Sequence, residues 1–347
     1  MRRQRTATRR RCYSADLLKA IGKFLPHCGL HLFVDDARVR WVPRMLVTCV
    51  VMLGWMSGSN LAECFAASRE VVVAMYLSRR RPGETLAGFL SALQKHSAEL
   101  LAVVVQHLRQ MTFLLAGRQW RLGPWVVMGA DGSRVECPMT RSNERHLGCA
   151  GKDKTTPQLF VTTLFHVVTG LPWAWIRGRG DASERGQLRR MLKTLPLLTL
   201  LLMDAGFPGY VLLRALMALE HHKMRSDTPE RAKVELDWYM VGLWMLGLMT
   251  LEAMGPRRRV QRRWSAAGAL SCVRKAMRNA RRPRRGGGLP RQLRDAVQDS
   301  YERRRPKKAR HYPRKKTERP AGRPQIRTAT RSENAAAQAF GQPRAPN

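Results

Sequence analysis

The sequence predicts an α/β fold: a mixed sheet with flanking helices, preceded by a helical N-terminal domain and followed by a basic tail. Three observations predict it. Between 119 and 255, short apolar runs alternate with amphipathic stretches, as strands and helices do. Before 118, apolar residues recur at helical spacing. After 256, the chain turns strongly basic and poor in large apolar residues.

Residues 1–13 form an Arg-rich arm, expected to be disordered. Residues 14–118 read as helices. Leu86, Phe89, Leu90 and Leu93, then Leu100, Val104 and Leu108, keep helical spacing. Ser59 or Asn60 can cap a helix from Leu61, and Pro82-Gly83 separates two helices. Such a basic bundle either places a helix on DNA or only packs. In the middle region Trp125–Ala130 is a strand that ends at Asp131-Gly132-Ser133. Gln158–Val168 is β-branched and aromatic, Thr169-Gly170 turns, and Leu171–Ile176 returns. Ser183–Leu195 is an amphipathic helix with Ser183 as N-cap and with Gln187 and Arg190 on its wet face. Leu197–Met203 is continuously apolar, as a strand buried on both faces would be, and it ends at Asp204. Tyr210–Leu219 and 226–254 read as helices, the second starting at Ser226 or at Thr228-Pro229. From 256 to 347 the expectation is a low-complexity basic tail, with one amphipathic helix over Leu289–Arg303.

Charge narrows the partners. The 347 residues hold 63 Lys+Arg against 25 Asp+Glu, a net charge of +38. Like charges repel, so this excess does nothing for the fold, but it attracts a polyanion. Nucleic acid is the leading partner. The seven cysteines include no C-x-x-C pair, which suits a reducing, cytoplasmic setting. Cys137, His146 and Cys149 lie close enough in sequence to suggest zinc, but small apolar packing is the simpler reading. The N-terminus has no apolar run of a secretory signal behind it. Met45–Met56 is too short to span a membrane. Trp238–Leu251 lies between Asp237 and Glu252, short of the ~20 residues a span needs. Both read as buried helices, and no membrane is expected.

Asp131 and Asp204 share a context: each follows an apolar strand and precedes small residues. In α/β sheets, ligands gather at the carboxyl ends of strands. Two carboxylates on neighbouring strand ends can hold divalent cations, whose preferred ligands are such oxygens. A pair of ions about 4 Å apart would clamp the attacking and leaving oxygens of an in-line phosphoryl transfer. The alternative is that both aspartates only satisfy turn amides.

These segments resemble the DDE transposases of bacterial insertion sequences, in particular the group whose third motif is Y-x2-R-x3-E-x6-K. The matching pieces are ADGS (130–133), TPQLFVTTLFHVVTGLPW (156–173), SERGQLRRMLKTLP (183–196) and LLLMDAGFPGY (200–210). The phrase RRRPKKARHYPRKK (303–316) is similar to the end of such proteins. The resemblance implies an RNase H-like catalytic core, Mg²⁺ or Mn²⁺, cleavage at transposon ends and strand transfer. It also implies action on double-stranded DNA at the nucleoid, and a homodimer that joins two ends. Asp131 then corresponds to the first catalytic aspartate and Asp204 to the second, both as metal ligands. Lys223, Arg225, Arg303, Arg304, Arg305, Lys307, Lys308 and Arg310 are expected to contact DNA.

The third carboxylate departs from the pattern. The relatives carry a β-rich insertion and a Glu helix before the segment that resembles residues 221–247 here. In this chain that segment follows Tyr210 almost at once, and no Y-x2-R-x3-E-x6-K is present. The simplest account is an internal deletion joined near Leu216–Leu219. Glu220 stands beside the junction as the nearest substitute, with Glu235 and Glu252 more distant. The expectation is DNA binding with weak or absent strand transfer. A noncatalytic DNA-binding remnant or regulator of a full-length transposase, and an RNA-associated basic protein, are the competing readings.

Overall fold

The computed structural model describes residues 12–26, 30, 40–58, 60–76, 81–149, 156–203, 224–261, 263–282, 288–297 and, near the C-terminus, 330–332, 334 and 335. Contacts divide the chain into two compact units, Met1–Asp299 and Ser300–Asn347. In the second, a helical turn forms where the Asn334 amide donates to the Thr330 carbonyl at 3.0 Å.

Four helices open the first unit: α1 (Tyr13–Gly22), α2 (Pro43–Trp55), α3 (Leu61–Met75) and α4 (Leu86–Ala116). Their starts follow local chemistry. Pro43 occupies the first turn of α2, where its missing N–H is not needed. The Asn60 side chain accepts from the Ala62 and Glu63 amides, and Thr85 accepts from the Gly88 amide. α4 buries one stripe, Phe89, Leu93, Ser97, Leu100, Val104 and Leu108, at spacings of three and four. Among the described residues, Leu86–Trp120 is the one helical stretch long and apolar enough to cross a membrane.

The sheet holds β1 (Val126–Glu136), β2 (Gln158–His166), β3 (Leu171–Arg179) and β4 (Thr199–Met203), in the order β3-β2-β1-β4. β1, β2 and β3 are antiparallel neighbours, and β4 runs parallel to β1. The mixed sheet with flanking helices is thus the predicted α/β class. α5 (Arg141–Leu147) and α6 (Glu184–Met191) belong to the connections. The Ser183 side chain caps α6, as its sequence position predicts, by accepting from the Gly186 amide.

Beyond β4 come α7 (Pro229–Gln261), α8 (Ala266–Arg278) and α9 (Leu289–Arg294). α7 breaks at Gly255 (φ 70°), just before Pro256. The stretch Trp238–Leu251 is buried along its length, and so is α2. The three α7–α4–α2 indole contacts are fully paired: Trp55 Nε1 donates to the Gly242 carbonyl, Trp238 Nε1 to Ser97 Oγ and Trp244 Nε1 to Thr112 Oγ1.

Several expectations change. The helices before 118 share one apolar core with α7, α8 and α9, and with Leu171 of β3. The described parts of the basic tail drawn from 256 are therefore packed into the fold as far as Val297: Trp264, Leu270, Val273, Leu289 and Leu293 are all buried in that core. Their apolar positions are few and scattered among arginines, so composition hides them. The helix expected over Leu289–Arg303 ends at Arg294. β1 does not stop at Asp131 but continues five residues to Glu136. β4 is not buried on both faces: Leu200 and Met203 are exposed, the latter at 61%. Gln187 is not on the wet side of α6 but 1% exposed, and its Oε1 accepts from the Thr162 amide at 3.1 Å. The segments holding Asp204, Tyr210–Leu219, Glu220, Lys223 and 303–310 lie outside the described residues.

Candidate active site and nucleic-acid interface

Alternation along β1 sorts its side chains. Val126, Met128 and Ala130 join the cluster containing Leu188 and Met191 of the α6 region. Val135 joins the cluster containing Leu236 and Tyr239 of α7. Asp131 therefore points to the α7 face, as its odd-numbered strand neighbours do. It is half-buried, and burial raises its carboxyl above the ordinary aspartate value, with only the Gly132 backbone acting the other way.

The strand around Asp131 is fixed by two glycines and two rings. A Cβ on Gly129 would fall 2.4 Å from Phe165 Cζ, on the Asp131 face. On the opposite face, a Cβ on Gly132 would fall 2.5 Å from Phe160 Cζ and 2.9 Å from Glu184 Oε1. A side chain at either position would displace a ring, so both glycines are close-approach positions.

The β1–β4 ladder ends at one place. Its last register pair is Ala130↔Met203. Asp131 and Asp204 are the residues that follow these two in the chain. On its other side Asp131 is the register partner of Thr163, and Thr163 of Trp175. Trp175 Nε1 donates to Asp237 Oδ1 at 2.9 Å, and Arg177 pairs with Asp237 Oδ2 at 2.9 Å. Asp237 is buried, and desolvation raises its carboxyl more than Arg177 and Trp175 lower it. A row of polar groups thus crosses this face from Asp131 through Thr163 to Asp237.

The other carboxylates named from sequence are engaged elsewhere. Glu235 accepts from the Arg225 and Ser226 amides and from the Tyr239 hydroxyl. It ties the chain entering α7 to the helix itself. Glu252 is paired with Lys23. Among the described residues, no three His, Cys, Asp or Glu side chains are grouped to hold a metal ion. Cys137 lies in the apolar cluster under the sheet, and burial pushes its thiol up to about 12. His146 Nδ1 bonds the Ser142 carbonyl within its own helix.

Oxygen donors are what Mg²⁺ takes, and the half-buried Asp131 carboxylate beside a buried threonine hydroxyl fits that donor chemistry. Thr163 Oγ1 is fully buried and has no hydrogen-bond partner among the described residues.

Arg225, expected on DNA, is partly committed, since its Nη2 donates to the Met56 carbonyl at 3.4 Å. Cations that the sequence reading passed over are on the surface. Arg185, Arg189 and Arg190 of α6 and Lys193 just beyond it are exposed, on the helix whose Glu184 carboxylate occupies the space a side chain at Gly132 would enter. Lys275, Arg278, Arg282 and Arg291 are exposed on and beside α8 and α9. The signal for the first group was available: three arginines and a lysine within nine residues, with apolar positions only at Leu188, Met191 and Leu192.

The chain matches no protein-family model, no curated protein and no solved structure.

Proposed function

We propose that this chain is a DNA transposase of RNase H-like build, or a degenerate one, acting on transposon-end DNA at the nucleoid. One observation carries the reading. The resemblance pairs Asp131 with Asp204, and the parallel β1–β4 ladder independently pairs Ala130 with Met203, the residues just before them. Parallel neighbours lie about 4.8 Å apart, so the two residues that precede the aspartates in the chain lie side by side.

Asp131 and Asp204 would hold Mg²⁺ or Mn²⁺, which supplies positive charge at the reacting phosphate. Asp131 presents its carboxylate from a strand braced by Phe160 and Phe165. The exposed α6 cations Arg185, Arg189 and Arg190, on the other face of the sheet, and the C-terminal cations add sequence-independent attraction for DNA. The noncatalytic reading is favoured by a separate observation: Glu235 and Glu252 are both committed to structural partners. A chain without a third carboxylate binds DNA and cuts it slowly, because rate depends steeply on position.

The test is binding and nicking of duplex DNA carrying the element's terminal repeats, with Mg²⁺ or Mn²⁺. Expected are a steep loss of affinity with salt and slow nicking that Asp131→Asn reduces at least about a hundredfold. Nicking that survives Asp131→Asn unchanged sinks the catalytic assignment. Structured RNA outcompeting duplex DNA at matched salt sinks the DNA assignment as well.

A further inference from the structure

Acidic residues almost vanish after Glu252. Residues 256–297 hold 14 Lys+Arg and one acid, Asp295. The N-terminal helices are nearly balanced by comparison: residues 13–116 hold 11 Lys+Arg and 7 Asp+Glu. α8 lies in the basic stretch, and helical spacing gives it two faces. Leu270, Val273, Ala276 and Met277 are buried in the core. On the opposite stripe Ala267, Ser271, Lys275 and Arg278 are exposed, at spacings of four, four and three. Arg282, just past the helix, is exposed as well. The helix is tied down at both flanks. Arg274 Nε donates to the Trp55 carbonyl at 2.7 Å, and the Ser14 amide donates to the Ala280 carbonyl at 3.0 Å.

We infer that α8 is the face by which the folded chain grips duplex DNA: Lys275, Arg278 and Arg282 hold backbone phosphates, and Ala267 and Ser271 let the backbone come close. The inference rests on the DNA-binding reading, and it assigns the contact to α8 rather than to the N-terminal helices. Cations elsewhere are already neutralised. Lys23 is paired with Glu252, Arg69 with Glu70 and Glu84, and Arg281 with Glu70. Lys275, Arg278 and Arg282 have no acidic partner among the described residues, so their charge is available to a polyanion. At a rise of about 1.5 Å per residue the stripe from Ala267 to Arg278 is about 16 Å long. That length compares with the major groove, about 12 Å wide, which admits a helix. Single-stranded or looped RNA is read by stacking on aromatic faces, and this stripe carries no aromatic residue. Phosphate contacts carry no sequence information, so the grip is independent of sequence.

The experiment measures binding of the full chain to a short labelled duplex of arbitrary sequence by fluorescence anisotropy, over a range of salt. One variant combines Lys275→Gln, Arg278→Gln and Arg282→Gln. A control removes the same charge from exposed cations of the N-terminal half: Lys19→Gln, Arg81→Gln and Lys95→Gln. A third variant, Ser271→Glu, places a carboxylate in the middle of the stripe. The tail after Ser300 is the same in all of them, so its contribution cancels. Expected in the α8 variant is a loss of affinity of roughly a hundredfold near 0.1 M salt, with the slope of log affinity against log salt flattened by about three. The control changes that slope by less than about one. Ser271→Glu weakens binding roughly tenfold by repelling phosphates. Melting temperatures are unchanged, since every altered side chain is exposed; where the triple α8 variant melts lower, Ser271→Glu carries the test. Equal losses in the α8 and control variants assign the effect to net charge and overturn the α8 grip, leaving the DNA reading standing. Unchanged binding in the α8 variant or in Ser271→Glu, while the unaltered chain binds, does the same. An unaltered chain that fails to bind duplex DNA, or that prefers structured RNA at matched salt, overturns the DNA reading itself and the α8 grip with it.

Discussion

The helical half and the sheet half of the first unit treat polar atoms differently. In the helical half, the indoles of Trp55, Trp238 and Trp244 are buried, and each donates to a carbonyl or hydroxyl on a neighbouring helix. Trp41 Nε1 is one exception there. In the sheet half, Thr162, Thr163, Gln158 and Gln187 each bury an atom that finds no partner among the described residues. The apolar surfaces differ as well. α2 and the centre of α7 are covered on every side, whereas Leu197, Leu198, Leu200 and Met203 at β4 are exposed. A scaffold satisfies its buried polar groups, and a site leaves groups waiting for something else. The difference sets the sheet that carries Asp131 apart from the helical scaffold.

The largest effect expected from this contrast is in the scaffold. Trp244→Ala removes a fully buried indole and its hydrogen bond to Thr112, and should lower unfolding free energy by about 3–5 kcal/mol. Denaturant melts measure it, and a loss below about 1 kcal/mol would erase the distinction between the halves.

A smaller effect belongs to the joint between them. His166 is buried in β2, with Nε2–H donating to the Trp120 carbonyl and Nδ1 accepting from Thr169. Burial lowers its pKa from 6.5 to about 4. The unfolded chain therefore binds this proton more readily than the folded one. Stability falls as pH drops from 6.5 toward 4, by up to about 3 kcal/mol from this group, and no further below that. The pH slope of stability in that window should flatten in His166→Gln, and an identical slope would remove His166 as its source.

The smallest effect is at the site. Asp131 bears a carboxylate that its surroundings disfavour, so Asp131→Asn should leave stability unchanged or raise it by less than about 1 kcal/mol. Chemical denaturation at neutral pH checks this. A marked destabilisation would make Asp131 a structural residue and return the sheet to the scaffold.

Much of the fold was legible because it rests on local signals. Asn60 and Ser183 announced their helices as capping residues, and each accepts the amides expected. The β-branched run from Gln158 and the Thr169-Gly170 turn gave β2 and β3. Asp131 was legible as a carboxylate after an apolar strand. Thr163 was not, because a threonine in a β-branched strand looks like ordinary strand composition until register places it opposite Asp131. Gln187 misled because helical periodicity identifies a face but not what covers it; here the sheet does. The β4 run misled in the same way, since apolar composition records burial capacity rather than burial. Trp264, Leu270 and Val273 were hidden by the arginines around them.

By itself the sequence determined the α/β class, the helix caps, the strong positive charge and the two aspartates that follow apolar runs. These depend on neighbours in the chain, on backbone chemistry within a turn or on summed charge, and no distant contact alters them. Tertiary structure alone decided that α1–α4 share a core with α7–α9 and that β4 lies parallel beside β1. It also decided that Asp131 faces Thr163 and that Glu235 and Glu252 are already engaged. Each of these is a contact between residues far apart in sequence. Strand order and helix packing bring them together, and neither is written in the local pattern.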